Sequence, residues 1–202
     1  MDDLGLREQF LPPVIRPLDD DMLVVGRAMP VLEEDLDSDG LAVATNLNKP
    51  FGLMFEALDS LQPGEVYLAT GSASPYALWG GLMSNRAIKL GAAGAVLDGY
   101  SRDTREIRVL GFPTFSHGGY AQDQRSRGRV VDYRSGVTIG AVRVEPGDLV
   151  YGDLDGICVV PWAAAPDVLR NALDKVEREN LVRGQILAGS STVDTFERYG
   201  AM

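Results

Sequence analysis

One cysteine and one histidine are all that this 202-residue chain offers of the side chains most used for thiol and imidazole chemistry. A lone cysteine makes no internal disulfide. Cys158 stands inside the apolar run Gly156-Ile-Cys-Val-Val160, a placement that favours a buried, inert thiol and a reducing compartment. His117, between Phe115-Ser116 and Gly118-Gly119, could contact a substrate, but a lone histidine without a spaced partner is more often structural. No apolar run approaches the length of a membrane span. The N-terminus, Met1-Asp-Asp-Leu-Gly-Leu-Arg-Glu8, is acidic where a signal peptide is basic and then apolar, so a cytoplasmic location is expected. Basic residues are also short: 19 Lys and Arg against 29 Asp and Glu give a net charge of −10. Such a surface repels phosphate backbones, which argues against direct nucleic-acid binding and leaves a basic protein as a compatible partner.

The remaining composition, 45% hydrophobic and 24% charged, is that of an ordinary globular protein. Residues 1–20 carry three prolines and several acids and read as an irregular arm. Met22 to Leu32 reads as a strand, with Pro30 marking an edge or its end. Residues 33–47 are polar, with Asp37-Ser-Asp-Gly40 as a turn. Phe51, Met54, Leu58 and Leu61 share one helical face within 50–61, and Val66–Thr70 is a strand. Pro75 suits the first turn of a helix running to about Leu90, which Gly91 closes. A strand follows at Gly94–Asp98, so this stretch is a strand–helix–strand crossover with parallel neighbours. From Gly111 on, short strands alternate with dense turn signals, and Pro161 to Pro166 leads into a long charged helix to about Ala188. Thr192 is expected to cap a last helix, Val193 to Tyr199. With no repeat or linker, residues 21–202 read as one α/β domain.

The segment Gly94-Ala-Val-Leu-Asp-Gly-Tyr-Ser-Arg102-Asp103-Thr-Arg-Glu106 carries the most chemistry. An apolar strand runs into a turn that delivers a guanidinium and a carboxylate together at its carboxyl end, where ligands bind in open α/β sheets. Arginine offers a planar fork for a carboxylate, and aspartate offers hard oxygens for a divalent cation. Only a turn lets two adjacent side chains serve one pocket. Glu106 is read near a strand start. Asp153 and Asp155 look like a cation loop but lack further ligands, and turn chemistry explains them. Gly71-Ser-Ala-Ser74 could cradle an anion but fits no nucleotide pattern. Asp123-Gln-Arg125-Ser-Arg127 is a polar loop that could line the pocket, with no role assigned to any one residue.

Trp79-Gly80-Gly81 and, after twenty intervening residues, Arg102-Asp103-x-x-Glu106 form the most specific spaced pair. With Gly111-Phe-Pro-Thr-Phe115, Pro146-Gly-Asp148, Gly152-Asp-Leu-Asp-Gly156 and Val159-Val-Pro161, they make the chain resemble the RraA-like family. That family includes regulators of ribonuclease activity and divalent-metal pyruvate aldolases acting on 4-hydroxy-4-methyl-2-oxoglutarate and 4-carboxy-4-hydroxy-2-oxoadipate. The resemblance implies a layered β/β/α sandwich of the swivelling-domain-like type with C-terminal helices. It also implies a homotrimer or hexamer with active sites between subunits. Asp103 would hold Mg2+ or Mn2+. Arg102 would bind the α-keto acid and neutralise the enolate. Gly81 and the amides of Leu82 and Met83 would face the substrate carboxylate, and Glu106 would position a metal-bound water. A neighbouring subunit would add Glu179, with Glu177 in reserve. At Gly81 the chain departs from the aldolases, which carry an acid after Trp-Gly, and agrees with the ribonuclease regulators. The expected activity is a lyase on short α-keto acids, with oxaloacetate decarboxylation as the least demanding reaction. The alternative is a non-catalytic regulator that binds a basic protein. A methyl-transfer role ranks last, for want of a Gly-rich nucleotide motif.

Overall fold

The computed structural model describes residues 1–36 and 49–200, so the expected turn at Asp37–Gly40 lies outside the described residues. The chain divides into two compact units, Asp2–Trp162 and Ala163–Met202. The first unit holds β1 (Arg16–Pro17), β2 (Val24–Asp35), α1 (Met54–Asp59), β3 (Glu65–Thr70), β4 (Ala77–Trp79), α2 (Gly81–Leu90) and β5 (Gly94–Leu97). It continues with β6 (Tyr100–Ser101), α3 (Thr104–Leu110), β7 (Thr114–Ser116), β8 (Gly128–Tyr133), β9 (Val137–Ile139), β10 (Val142–Val144), β11 (Leu149–Asp153) and β12 (Gly156–Val160). The second unit holds α4 (Ala165–Leu187) and α5 (Thr192–Tyr199).

The architecture is mixed α/β. Its main sheet has eight strands in the order β1-β7-β5-β3-β2-β11-β12, with β8 also paired to β2. The β2, β3, β5 and β7 strands run parallel, as the strand–helix–strand reading requires. Their residues are apolar almost without interruption: Val66, Leu68, Ala95, Val96, Leu97 and Phe115 are all fully buried. That is the signature of strands covered on both faces.

The N-terminal arm binds both ends of this order. Arg16 and Pro17 pair with β7, while Leu11 N–H donates to Ile157 O at 3.0 Å and Val159 N–H donates to Gln9 O at 2.8 Å. The arm therefore covers the open edges of β7 and β12 and nearly closes the sheet, removing edges that would otherwise template association.

Some local expectations change. Pro30 lies inside β2, not at its end. On one side β2 pairs with β11 at Val24–Arg27 and then with β8 at Val31–Asp35, and Pro30 falls in the interval where the partner changes. Its missing N–H costs no ladder bond on that side. Pro75 does not begin a helix: Ala77–Trp79 is a short strand paired with Tyr100–Ser101, and the helix starts at Gly81. Burial explains the choice, because Tyr76, Leu78 and Trp79 are all sealed from solvent, as continuous strand residues can be. The cap of α5 is Ser191, not Thr192: its hydroxyl accepts from Asp194 N–H at 3.0 Å. Among the described residues, no helix is long and apolar enough to cross a membrane.

Candidate active site

Trp79 fixes where the site begins. Its ring lies between Tyr67, 4.9 Å away, and Phe112, stacked at 6.0 Å, and its Nε1 donates to Ser84 Oγ at 2.7 Å. The end of β4 and the first turn of α2 are thus tied to the core. Gly80 is extended between them, and the first turn of α2 exposes N–H groups that helix geometry leaves without intrahelical acceptors.

The second wall comes from the turn after β6. Arg102 N–H donates to Trp79 O at 2.9 Å, which aligns this turn with the Trp-Gly-Gly segment. Asp103 then adopts a left-handed backbone with φ 59°, one of few non-glycine residues to do so, before α3 begins. Aspartate tolerates that conformation better than most residues. The kink turns the Asp103 carboxylate back onto α2, where Oδ2 accepts from Gly81 N–H at 3.0 Å. A negative group there meets the positive end of the helix dipole. A side chain on Gly80 would bring a Cβ within 2.9 Å of Asp103 Oδ2, so the glycine permits the approach.

Arg102 reaches the same place. Its Nε is 4.0 Å from Asp103 Oδ2, and its terminal nitrogen is 3.1 Å from Asp123 Oδ2. The Arg102 side chain is 42% exposed and that of Asp103 46%, so both retain free sides for a ligand. Glu106 sits in the first turn of α3 rather than at a strand start, and its Oε1 accepts from Asn85 Nδ2 at 2.9 Å. Asp103 to Glu106 and Val109 line one shallow, open concavity.

The structure therefore brings Gly81, Arg102, Asp103 and Glu106 together, with Leu82 and Met83 following in the first turn of α2. Glu177 and Glu179 belong to the other unit, on α4, where Glu179 pairs with Lys175 at 3.4 Å. Asp123, in the polar loop expected at the pocket, is the residue whose individual role the sequence did not give. The Arg125 N–H and the Arg102 guanidinium hold its carboxyl below the ordinary aspartate value. Its loop docks through Ala77 N–H donating to Gln122 O at 2.8 Å, a contact that no local motif announces.

The other candidates resolve as structure. His117 Nε2 lies 3.2 Å from Asp98 Oδ1, and Asp98 also accepts from Thr70 Oγ1 at 2.8 Å. Asp153 Oδ1 accepts from Asp155 N–H at 2.9 Å, a turn bond. Cys158 is buried, and burial pushes its thiol up to about 11. The Gly71–Ser74 loop does cradle an anion, but that anion is Asp35 of this chain.

Among the described residues, no three His, Cys, Asp or Glu side chains converge as a cation cage. The donors at the site, Asp103 and Glu106, are all hard oxygens. That set fits an ion such as Mg2+ or Mn2+, which keeps much of its water shell, and does not suit a soft or imidazole-seeking metal.

The RraA-like family, described as Aldolase/RraA, matches residues 1–159, and the chain belongs to that family. An uncharacterized protein of Methanocaldococcus jannaschii is 34% identical over 118 residues, which are 58% of this chain and 56% of that protein. The chain thus spans little more than half of that relative's length. A Halalkalibacterium halodurans protein named "Putative 4-hydroxy-4-methyl-2-oxoglutarate aldolase" is 32% identical over 184 residues, 88% of this chain and 80% of its own. Among solved structures, Streptomyces coelicolor RraAS2, described as an unusual member of the RNase ES inhibitor RraA protein family, superposes with a TM-score of 0.78. The identity is 29%, covering 91% of this chain and 88% of that one.

Proposed function

We propose that this chain is a lyase acting on short α-keto acids, with Asp103 holding a divalent cation, Mg2+ or Mn2+. The observation that carries this reading is the convergence of the Arg102 guanidinium and the Asp103 and Glu106 carboxylates on the N-terminus of α2 at Gly81. When bound, the cation supplies a Lewis acid for the keto oxygen. Arg102 binds the keto acid and offsets the negative charge that develops on that oxygen. The N–H groups of Leu82 and Met83, at the positive end of α2, receive the substrate carboxylate. Glu106 orients water at the reacting carbon.

Oxaloacetate decarboxylation asks least of these groups. The bond to the leaving carboxylate breaks, its electron pair passes into the enolate, and a proton returned to carbon gives pyruvate. Aldol cleavage needs in addition a base for the substrate hydroxyl, and Gly81 supplies none. Two copies of the chain enter the same reading, with Glu179, or Glu177, reaching the site of a neighbour in a trimer or hexamer. The exposed apolar stripe Leu169, Leu173 and Val176 on α4 supports such an assembly.

The experiment is pyruvate release from oxaloacetate by the purified chain, with Mg2+ or Mn2+ and with chelator. Turnover above the free-metal rate, lost on chelation and reduced about 10²–10³-fold in Arg102→Ala, is expected. Turnover indistinguishable from free metal overturns the reading. It would favour a protein-binding regulator, for which the net charge of −10 and the similarity to RraAS2 speak.

A further inference from the structure

The Glu106 carboxylate occupies space that only a glycine at position 81 leaves open. A Cβ on Gly81 would collide with Oε2 and Cδ of Glu106 and lie 2.9 Å from its Oε1. An exposed glutamate in the first turn of a short helix would ordinarily sample several rotamers. Here one side chain restrains it. Asn85 Nδ2 donates to Glu106 Oε1 at 2.9 Å and to Gly81 O at 2.9 Å. An amide nitrogen has two hydrogens, and these two acceptors use both. Asn85 lies one turn beyond Gly81, so its side chain leans back over that residue, as helical side chains do. The bond to Glu106 is charge-assisted, and so is stronger than an ordinary neutral one.

We propose that Asn85 is a positioning residue: it parks the Glu106 carboxylate over Gly81, beside Asp103, and so makes Glu106 the site's second acid. This rests on the reading of Asp103 and Glu106 as a cation and keto-acid site. It adds that the second carboxylate depends on a neutral amide one helix turn away and on the bare Cα of Gly81. Asn85→Ala loses the restraint. Gly81→Ala displaces the carboxylate directly, at small cost to folding, because the obstructing atoms end a flexible side chain.

The test is Mn2+ binding to the whole chain, read from the free-ion EPR signal, which needs no turnover. Wild type is compared with Asp103→Ala, Glu106→Ala, Asn85→Ala, Gly81→Ala and the Asn85→Ala/Glu106→Ala double variant. Asn85→Ala, Gly81→Ala and Glu106→Ala are each expected to weaken binding by a similar factor, about tenfold, and the double variant no further than Glu106→Ala. Alanine favours the helix, so the Asn85 change should leave the melting temperature near that of wild type. If Asp103→Ala weakens binding while Asn85→Ala does not, or if the Asn85 and Glu106 losses add in full, the positioning role is overturned and the site reading stands. If wild type binds Mn2+ no better than Asp103→Ala, the site reading falls, and the role of Asn85 falls with it.

Discussion

Asp35 and Asp103 each stand where a strand gives way to a loop or helix, and their carboxylates have opposite fates. Asp35 ends β2 and receives four donors from its own chain: Tyr76 OH at 2.8 Å, Ser74 N–H at 2.9 Å, Ala73 N–H at 3.1 Å and Ser72 Oγ at 3.2 Å. Asp103 receives the Gly81 N–H at 3.0 Å and the more distant Arg102 guanidinium, with nearly half its side chain exposed. The first carboxylate is consumed by the fold. The second keeps lone pairs facing solvent, as a carboxylate must to hold an outside ligand. Only the Asp103 segment looked like a ligand site in sequence, Asp35 lying in a stretch read simply as polar, and donor count is what separates the two in the fold.

The largest expected effects come from removing each acid in turn. Asp35→Ala leaves the buried Tyr76 hydroxyl and the loop N–H groups without their acceptor, and is expected to cost about 2–3 kcal/mol of folding stability in denaturant titration. Asp103→Asn keeps a residue that tolerates the left-handed backbone while removing one exposed negative charge, and is expected to leave the denaturation midpoint nearly unchanged. Equal losses for the two variants would break the distinction.

A second comparison lies within β2. Burial raises the Asp35 carboxyl, but the Tyr76, Ser74, Ala73 and Ser72 donors outweigh it and hold the group below its ordinary value of 3.8. Two residues earlier, burial pushes Glu33 from 4.5 to about 8, against a single short bond from Gln124 Nε2 at 2.5 Å. The signs are opposite. Asp35 stabilises the folded state above its unfolded pKa, and that contribution fades as pH falls through the lower folded value. Glu33 keeps its proton in the fold where the unfolded chain has released it, so stability declines as pH rises from about 4.5 to 8. Glu33→Gln is expected to remove that decline, gaining roughly 1–3 kcal/mol at pH 8 and nothing at pH 4. Unfolding free energies at the two pH values check this; a Glu33→Gln variant no steadier at pH 8 would contradict it.

The smallest effect concerns Arg102. Asp123 pairs with its guanidinium, and in the proposed reaction it would compete with the anionic substrate for that group. An exposed ion pair is worth about 0.2–1 kcal/mol, so Asp123→Asn is expected to lower KM and kcat together, by up to about fivefold. A kcat left intact would make Asp123 only a competitor.

The parallel core was legible because Val66–Thr70 and Gly94–Leu97 are apolar runs bounded by turn residues, and the Arg102-Asp103 turn because it follows one of them. The β4 strand was hidden: Pro75 is an equally good helix starter, and only the burial of Tyr76, Leu78 and Trp79 decides for a strand. The seven-residue α3 is too short to leave a clear helical period, so the setting of Glu106, a helix's first turn rather than a strand start, was not legible. The individual roles of Asp123 and Asn85 were out of reach. Their roles depend on one loop docking against β4 and on an amide leaning back over Gly81, and neither leaves a periodic trace in the chain.

The most direct measurement is pyruvate release from oxaloacetate with Mg2+ by Asp103→Asn and Asp35→Asn, each paired with its melting curve. Asp103→Asn is expected to fall to the free-metal background while melting like wild type, and Asp35→Asn to melt earlier yet turn over while folded. Turnover surviving in Asp103→Asn would contradict the assignment of Asp103 as the working carboxylate.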